Sequence, residues 1–175
     1  FSISVAGSDL ANDTSFDATV TGSDAAGNPF TATTTSTHTV DTTASATITV
    51  DAITADDIVN AAEAGGSITV TGSVGGDATV GDSVSMDING TTYSGLVLAG
   101  NVFSISVAGS DLANDTAFDA TVTGSDAAGN PFSATTTSTH TVDTTASATI
   151  SVDAITADDI VNAAEAGASI IVTGS

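Results

Sequence analysis

The chain is 175 residues long, has no lysine or arginine, and carries 21 acids for a formal net charge of −21 at pH 7. Nothing in it can neutralise a phosphate, so nucleic acid and an anionic membrane surface are excluded as partners. It has no cysteine to staple a fold and no apolar run near the roughly 18 residues of a membrane-spanning helix, while a hydrophobic content of 41% weighs against disorder.

Residues 1–73 recur at 103–175, displaced by 102 positions, with five differences: Ser15/Ala117, Thr31/Ser133, Thr49/Ser151, Gly66/Ala168 and Thr69/Ile171. The chain is therefore a window on a tandem array whose unit is about the size of one domain. Near-identical modules in series argue for length, stiffness or multivalency rather than a single active site.

In chain order, residues 1–43 read as strands E to G of a preceding repeat. Residues 44–145 read as one complete repeat, and 146–175 as strands A and B of a following one. Within the complete repeat, Ile48 and Val50 alternate with Thr47, Thr49 and Asp51, which predicts strand A near 46–51. A helical turn is expected at 56–65 in the A–B loop, started by Asp56 or Asp57 and ended by Gly65. The same alternation predicts strands B near 67–74, C near 83–89, D near 91–98, E near 102–109, F near 117–124 and G near 132–142. Turn signals separate them, among them Asn89-Gly90 and Gly129-Asn130-Pro131. The fold class is all-β: a seven-stranded Ig-like β-sandwich in tandem repeats, with a short helical turn in the A–B loop. Strand G, rich in Thr and Ser and containing His140, reads as a polar edge strand.

The acids are 19 Asp against 2 Glu, and most Asp fall in loops. Calcium takes oxygen ligands from Asp, Asn, Glu and carbonyls, whereas surface acidity of the halophile type scatters Asp and Glu alike, so the bias favours calcium. Strands that run alternately up and down gather these loops at two poles. Asp56, Asp57, Asn60 and Glu63 of the A–B loop share the trailing pole with Asp111 and Asp115 of the E–F loop and with Asp143 leaving strand G. Asp77 and Asp82 of the B–C loop share the leading pole with Asp126 of the F–G loop and the incoming Asp41. The repeated copies add Asp9, Asp13, Asp24, Asp158, Asp159 and Glu165 as candidate ligands. The linkers at 40–45 and 142–147 are too short for a flexible tether, so each trailing pole should meet the next leading pole. Facing carboxylates there repel, and calcium would turn a repulsive hinge into a rigid joint. The partners expected are thus neighbouring repeats of the same chain. No segment matches an EF-hand loop or the calcium nonapeptide of β-rolls. No nucleophile, base and orienting group can be assembled, so an enzyme is not expected. A glycan- or ice-binding module, using the loops or strand G, and an acidic protein without specific calcium sites remain the alternatives.

The segments Asp41–Ala64 and Gly-Ser-Asp-Ala-Ala-Gly-Asn at 22–28 and 124–130 resemble bacterial Ig-like extender repeats of giant calcium-dependent RTX adhesins. The resemblance covers the whole chain. It implies an extracellular protein anchored at the bacterial cell surface and exported by type I secretion, with calcium bound within and between repeats. It also implies that ligand recognition belongs to other domains. The chain departs from many such repeats in having Ala44-Ser45 where they have Ala-Pro.

Overall fold

The computed structural model describes all 175 residues. In chain order it comprises α1 (Gly7–Asn12), β1 (Ser15–Ser23), β2 (Pro29–Thr37), β3 (Ala46–Val50), β4 (Ile58–Asn60), α2 (Ala61–Ala64), β5 (Ser67–Gly76) and β6 (Ser83–Ile88). There follow β7 (Thr91–Leu96), β8 (Val102–Ala108), α3 (Gly109–Asn114), β9 (Ala117–Ser125), β10 (Pro131–Thr139), β11 (Thr141–Asp143) and a 3-10 turn at Glu165–Gly167.

Period-2 alternation sets which side chains go inward. Along β5, Ile68, Val70 and Val74 are buried while Ser67, Thr69 and Ser73 face solvent. The same alternation in β6, β8 and β9 buries Val84, Met86 and Ile88, then Phe103, Ile105 and Val107, then Phe118, Ala120 and Val122. Two sheets close over these residues. One is four-stranded, in the order β10-β9-β6-β7, and the other three-stranded, in the order β3-β5-β8. All these ladders are antiparallel. The core of 19 buried apolar residues runs from Ile48 to Phe132, so it lies wholly within residues 44–145. Each fully buried aliphatic side chain contributes about 1.5–3 kcal/mol from apolar transfer, against a comparable entropic cost of ordering the chain.

β7 sits beside β6, joined by the two-residue turn Asn89-Gly90, whose φ values of 51° and 76° are those of a tight hairpin. The A–B connection differs from the helix expected at 56–65. Asp57 takes φ 60°, which no helix accepts, and Ile58–Asn60 forms β4 instead. The helix is limited to Ala61–Ala64, and its cap is Asn60 rather than Asp56 or Asp57. Strand G is also divided: β10 pairs with β9, then β11 crosses over to lie parallel to β4, with Val142 opposite Val59. That crossing carries His140 inside, where it is 6% exposed rather than lying on a polar edge. The helical turn α3 in the E–F loop was not foreseen from the pattern.

Residues 1–43 and 146–175 carry little pairing beyond local hairpins and turns. β1 and β2 make the same hairpin as β9 and β10, from Ser15↔Thr37 to Ser23↔Pro29. Residues 1–6, identical to the β8 residues 103–108, form no strand, and 146–175 keeps a single bridge, Val152↔Gly174.

Candidate metal centre

At the trailing pole, α2 and α3 pack together, with the Gly109 N–H donating to the Gly66 carbonyl at 2.8 Å. A Cβ at Gly109 would collide with the Glu63 carbonyl, so the A–B and E–F loops touch backbone to backbone. Asn60 and Glu63 form a capping box: Asn60 Oδ1 accepts from the Ala62 and Glu63 N–H groups at 2.9 and 3.1 Å, and Glu63 Oε2 accepts from the Asn60 N–H at 3.0 Å. Asp57 Oδ1 accepts from the Ile53 N–H at 3.0 Å. Asp56 Oδ1 accepts from the Thr54 hydroxyl at 3.0 Å and the Ile58 N–H at 3.2 Å, and these bonds, that of Thr54 foremost, hold its carboxyl below the usual range. The Thr141 N–H donates to the Asp57 carbonyl at 3.1 Å, and the ladder sets Asp143 opposite Asn60.

The β6–β7 hairpin supplies two further donors, Asn89 in its turn and Tyr93 in β7. Tyr93 donates its hydroxyl to Asp111 Oδ2 at 2.6 Å, and Asn89 Nδ2 donates to Asp111 Oδ1 at 3.2 Å. The Tyr93 bond and then the Asn89 bond depress the Asp111 carboxyl, and the bond to Asp111 raises the Tyr93 phenol. The Asn89 N–H donates to Asp115 Oδ2 at 2.9 Å. One signal for this contact was available: Asn89-Gly90 is a hairpin turn at the same pole as Asp111. The other addition is His140, whose Nε2 bonds the Leu112 carbonyl at 2.8 Å and whose ring lies tilted 6.4 Å from that of Phe118. Its buried Nδ1 has no partner.

At the leading pole, Asp77 accepts the Ser45 N–H at 2.7 Å, and Asp82 accepts the Thr79 N–H at 2.6 Å. Asp126 accepts both the backbone and side-chain N–H groups of Asn130 at 2.8 Å, which depress its carboxyl, the side-chain bond foremost. Asn130 Nδ2 also reaches the linker, lying 3.2 Å from the Asp41 carbonyl and 3.5 Å from Asp41 Oδ1. Asn130 thus joins Asp41 before the complete repeat to Asp126 within it.

The copies repeat the local bonds. Asp24 accepts from Ala26 and Asn28, Asp13 from Ser15, Asp159 from Ile155, Asp158 from Thr156 and Glu165 from Asn162. Asn28 holds the Asp24 carboxyl low just as Asn130 does for Asp126. Asp9 lies in the first turn of α1.

Nowhere do three or more carboxylate or imidazole side chains converge as a metal cage. The junction brings Asp41 and Asp126 to one amide rather than facing many carboxylates across a gap. With no cation in the chain, the short Asp side chains turn onto nearby N–H and hydroxyl donors. The donors at both poles are oxygens of carboxylates, Asn amides and carbonyls, which fit calcium rather than zinc.

No protein-family model matches the chain, and no curated protein is significantly similar to it. Solved structures are. A bacterial immunoglobulin-like domain from the M. primoryensis ice-binding adhesin is 55% identical with a TM-score of 0.54, and is covered over 100% of its length by 59% of this chain. The chain belongs to this family of bacterial Ig-like adhesin domains. A structure from a 1.5-MDa bacterial ice-binding adhesin, described for its retention at the host cell surface, matches these Ig-like domains at 53% identity and TM-score 0.86 over 98% of the chain. A Ca2+-stabilized adhesin of an Antarctic bacterium that binds ice matches at 59% identity and TM-score 0.77 over 97% of the chain. The chain spans 56% and 42% of those two longer chains.

Proposed function

We propose that the chain is an extender segment of a bacterial cell-surface adhesin: Ig-like domains in series, stiffened by calcium, that hold a distal ligand-binding domain away from the cell. The complete domain is 44–145, flanked by parts of its neighbours at 1–43 and 146–175. The observation that carries the reading is the Asp41–Asn130–Asp126 connection, which ties a linker to the next domain through groups that are all calcium-compatible. The similarity to a Ca2+-stabilized adhesin supports the ion, and the similarity to cell-surface adhesin structures supports an extracellular location.

Asp41, Asp126, Asp77 and Asp82 are the ligand candidates at the leading pole, and Asp57, Asn60, Glu63, Asp111, Asp115 and Asp143 those at the trailing pole. Bound there, calcium would neutralise part of the −21 charge and hold the linker against the domain. Extracellular modules bind calcium with Kd near 10⁻⁴–10⁻³ M, and each site adds about 2.7 kcal/mol at a hundredfold excess over Kd. The test is thermal unfolding and small-angle scattering with millimolar calcium, with chelator, and with chelator plus molar NaCl. Calcium should raise the melting temperature and narrow the distribution of end-to-end distances, and NaCl should not replace it. Full replacement by NaCl would instead identify an acidic protein without specific sites.

A further inference from the structure

Asn89 alone among the asparagines of the chain precedes a glycine. That dipeptide is the exposed two-residue turn between β6 and β7. Ile88 and Thr91 pair across it, which leaves the Gly90 N–H to solvent. Gly90 sits at φ 76° with open space where a Cβ would lie, so nothing shields its nitrogen. An asparagine followed by an unshielded peptide nitrogen is chemically unstable in water, because that nitrogen can close a five-membered ring on the side-chain carbonyl carbon. The other asparagines lack this opening. Asn28 and Asn130 precede Pro29 and Pro131, whose nitrogens carry no proton to lose. Asn12 and Asn114 each have the side-chain amide bonded to a carbonyl four residues back. Asn60 and Asn162 each accept from two backbone N–H groups. Asn101 is followed by Val102, whose branched Cβ crowds the approach.

We propose that Asn89 is a site of spontaneous deamidation, and that the reaction turns a clip at the trailing pole into a point of repulsion. The Gly90 nitrogen loses its proton to hydroxide and attacks Asn89 Cγ. The new N–Cγ bond closes a succinimide, and the Cγ–Nδ2 bond breaks as Nδ2 takes up a proton and leaves as ammonia. One water then opens the ring at either carbonyl, leaving aspartate or isoaspartate at position 89. The net change is one water consumed and one ammonia released, with nothing oxidised or reduced. Before the reaction, Asn89 Nδ2 donates to Asp111 Oδ1 at 3.2 Å, and the Asn89 N–H donates to Asp115 Oδ2 at 2.9 Å. Afterwards a carboxylate oxygen without a proton faces Asp111, so an attraction becomes a like-charge contact. No lysine or arginine in the chain offsets it. The isoaspartate product also adds a methylene to the backbone of the turn, which disturbs the register Ile88↔Thr91 that a two-residue loop sets.

The test ages the folded 175-residue chain in warm, mildly alkaline, calcium-free buffer and follows ammonia release and intact mass, with fragmentation to locate the change. One equivalent of ammonia and a gain of one mass unit at position 89 are expected. Asn89→Gln should stay unchanged over the same interval, because its longer side chain closes a larger ring more slowly. Asn89→Asp reproduces the aspartate product without ageing. It should melt about 4–8 °C below unaged wild type, the shift that accompanies one lost hydrogen bond in a domain of this size. Asn89→Ala loses the same bond without adding a charge. Salt at about 1 M, which screens beyond about 3 Å, should restore more of the loss in Asn89→Asp than in Asn89→Ala. No mass gain in the aged wild type, a gain at another asparagine, or an Asn89→Asp variant that melts like wild type would each overturn the proposal.

Discussion

The imidazole of His140 fastens the end of β10 to the carbonyl of Leu112, 28 positions earlier in the chain, across 2.8 Å. The bond is buried, and through α3 it fixes the turn from which Asp111 reaches Tyr93. His38 makes the matching bond to the Leu10 carbonyl at 2.7 Å, but in a piece without a closed core.

Replacing His140 with Ala should therefore cost about 2–4 kcal/mol, combining an orphaned buried carbonyl with a cavity. At about 4–8 °C per kcal/mol for a domain of this size, calorimetry should show a large fall in Tm. His38→Ala should leave the main transition in place. Equal effects from the two substitutions would contradict the packing described.

Gly109 and Gly7 form a second matched pair. A methyl at Gly109 meets the Glu63 carbonyl, whereas one at Gly7 meets nothing within 4 Å. Gly109→Ala should destabilise the complete repeat by about 1–3 kcal/mol through overpacking. Gly7→Ala should be neutral or favour α1 slightly. Denaturant titration of both variants decides the point.

Asn130→Ala should loosen the linker, because Asn130 alone joins Asp41 to Asp126. Small-angle scattering should show a wider spread of end-to-end distances. Asn28→Ala is the control, since the Asn28 side chain reaches only Asp24, within its own loop. An unchanged distribution for Asn130→Ala would remove the amide from the joint.

Acid should weaken the fold in calcium-free buffer. Asp24, Asp56, Asp111 and Asp126 are all held below the ordinary carboxylate value of 3.8, chiefly by hydrogen bonds to Asn28, Thr54, Tyr93 and Asn130 respectively. A depressed folded value means the stabilisation is full above 3.8 and is lost as pH falls through the lower folded values. Carboxyl titration by NMR should place these four midpoints below 3.8, and those of Asp111→Asn should lack one of them.

The repeated segments show which parts of the fold were readable. The sequence at 1–6 is that of 103–108, yet only the second copy is a strand, because only it lies beside β5. The β1–β2 and β9–β10 hairpins and the α1 and α3 turns form in both settings, since their bonds are local. Alternation located all seven strands of 44–145, because the sandwich buries one side of each, while the partners of β3, β5 and β8 are decided by residues far along the chain. What failed depended on distance: β4 exists because β11 lies alongside it, and the Asp57 contact to Thr141 spans 84 positions. No window around Asp56–Glu63 contains that information. The candidate site was legible to the same extent. Loop membership brought Asp41 near Asp126 and Asp111 near the A–B loop. Of the donors that hold these carboxylates, Asn130 shares the F–G loop with Asp126, whereas Asn89 sat in a segment read only as a turn and Tyr93 in a segment read only as a strand.

The parallel pairing of β11 with β4 has a mechanical consequence. The polypeptide arrives at one end of the sandwich through β3 and departs at the other through β11, so tension along a tether loads the β11–β4 bonds in shear. Those bonds share the load and yield together instead of peeling one by one, which would suit the spacer role proposed above.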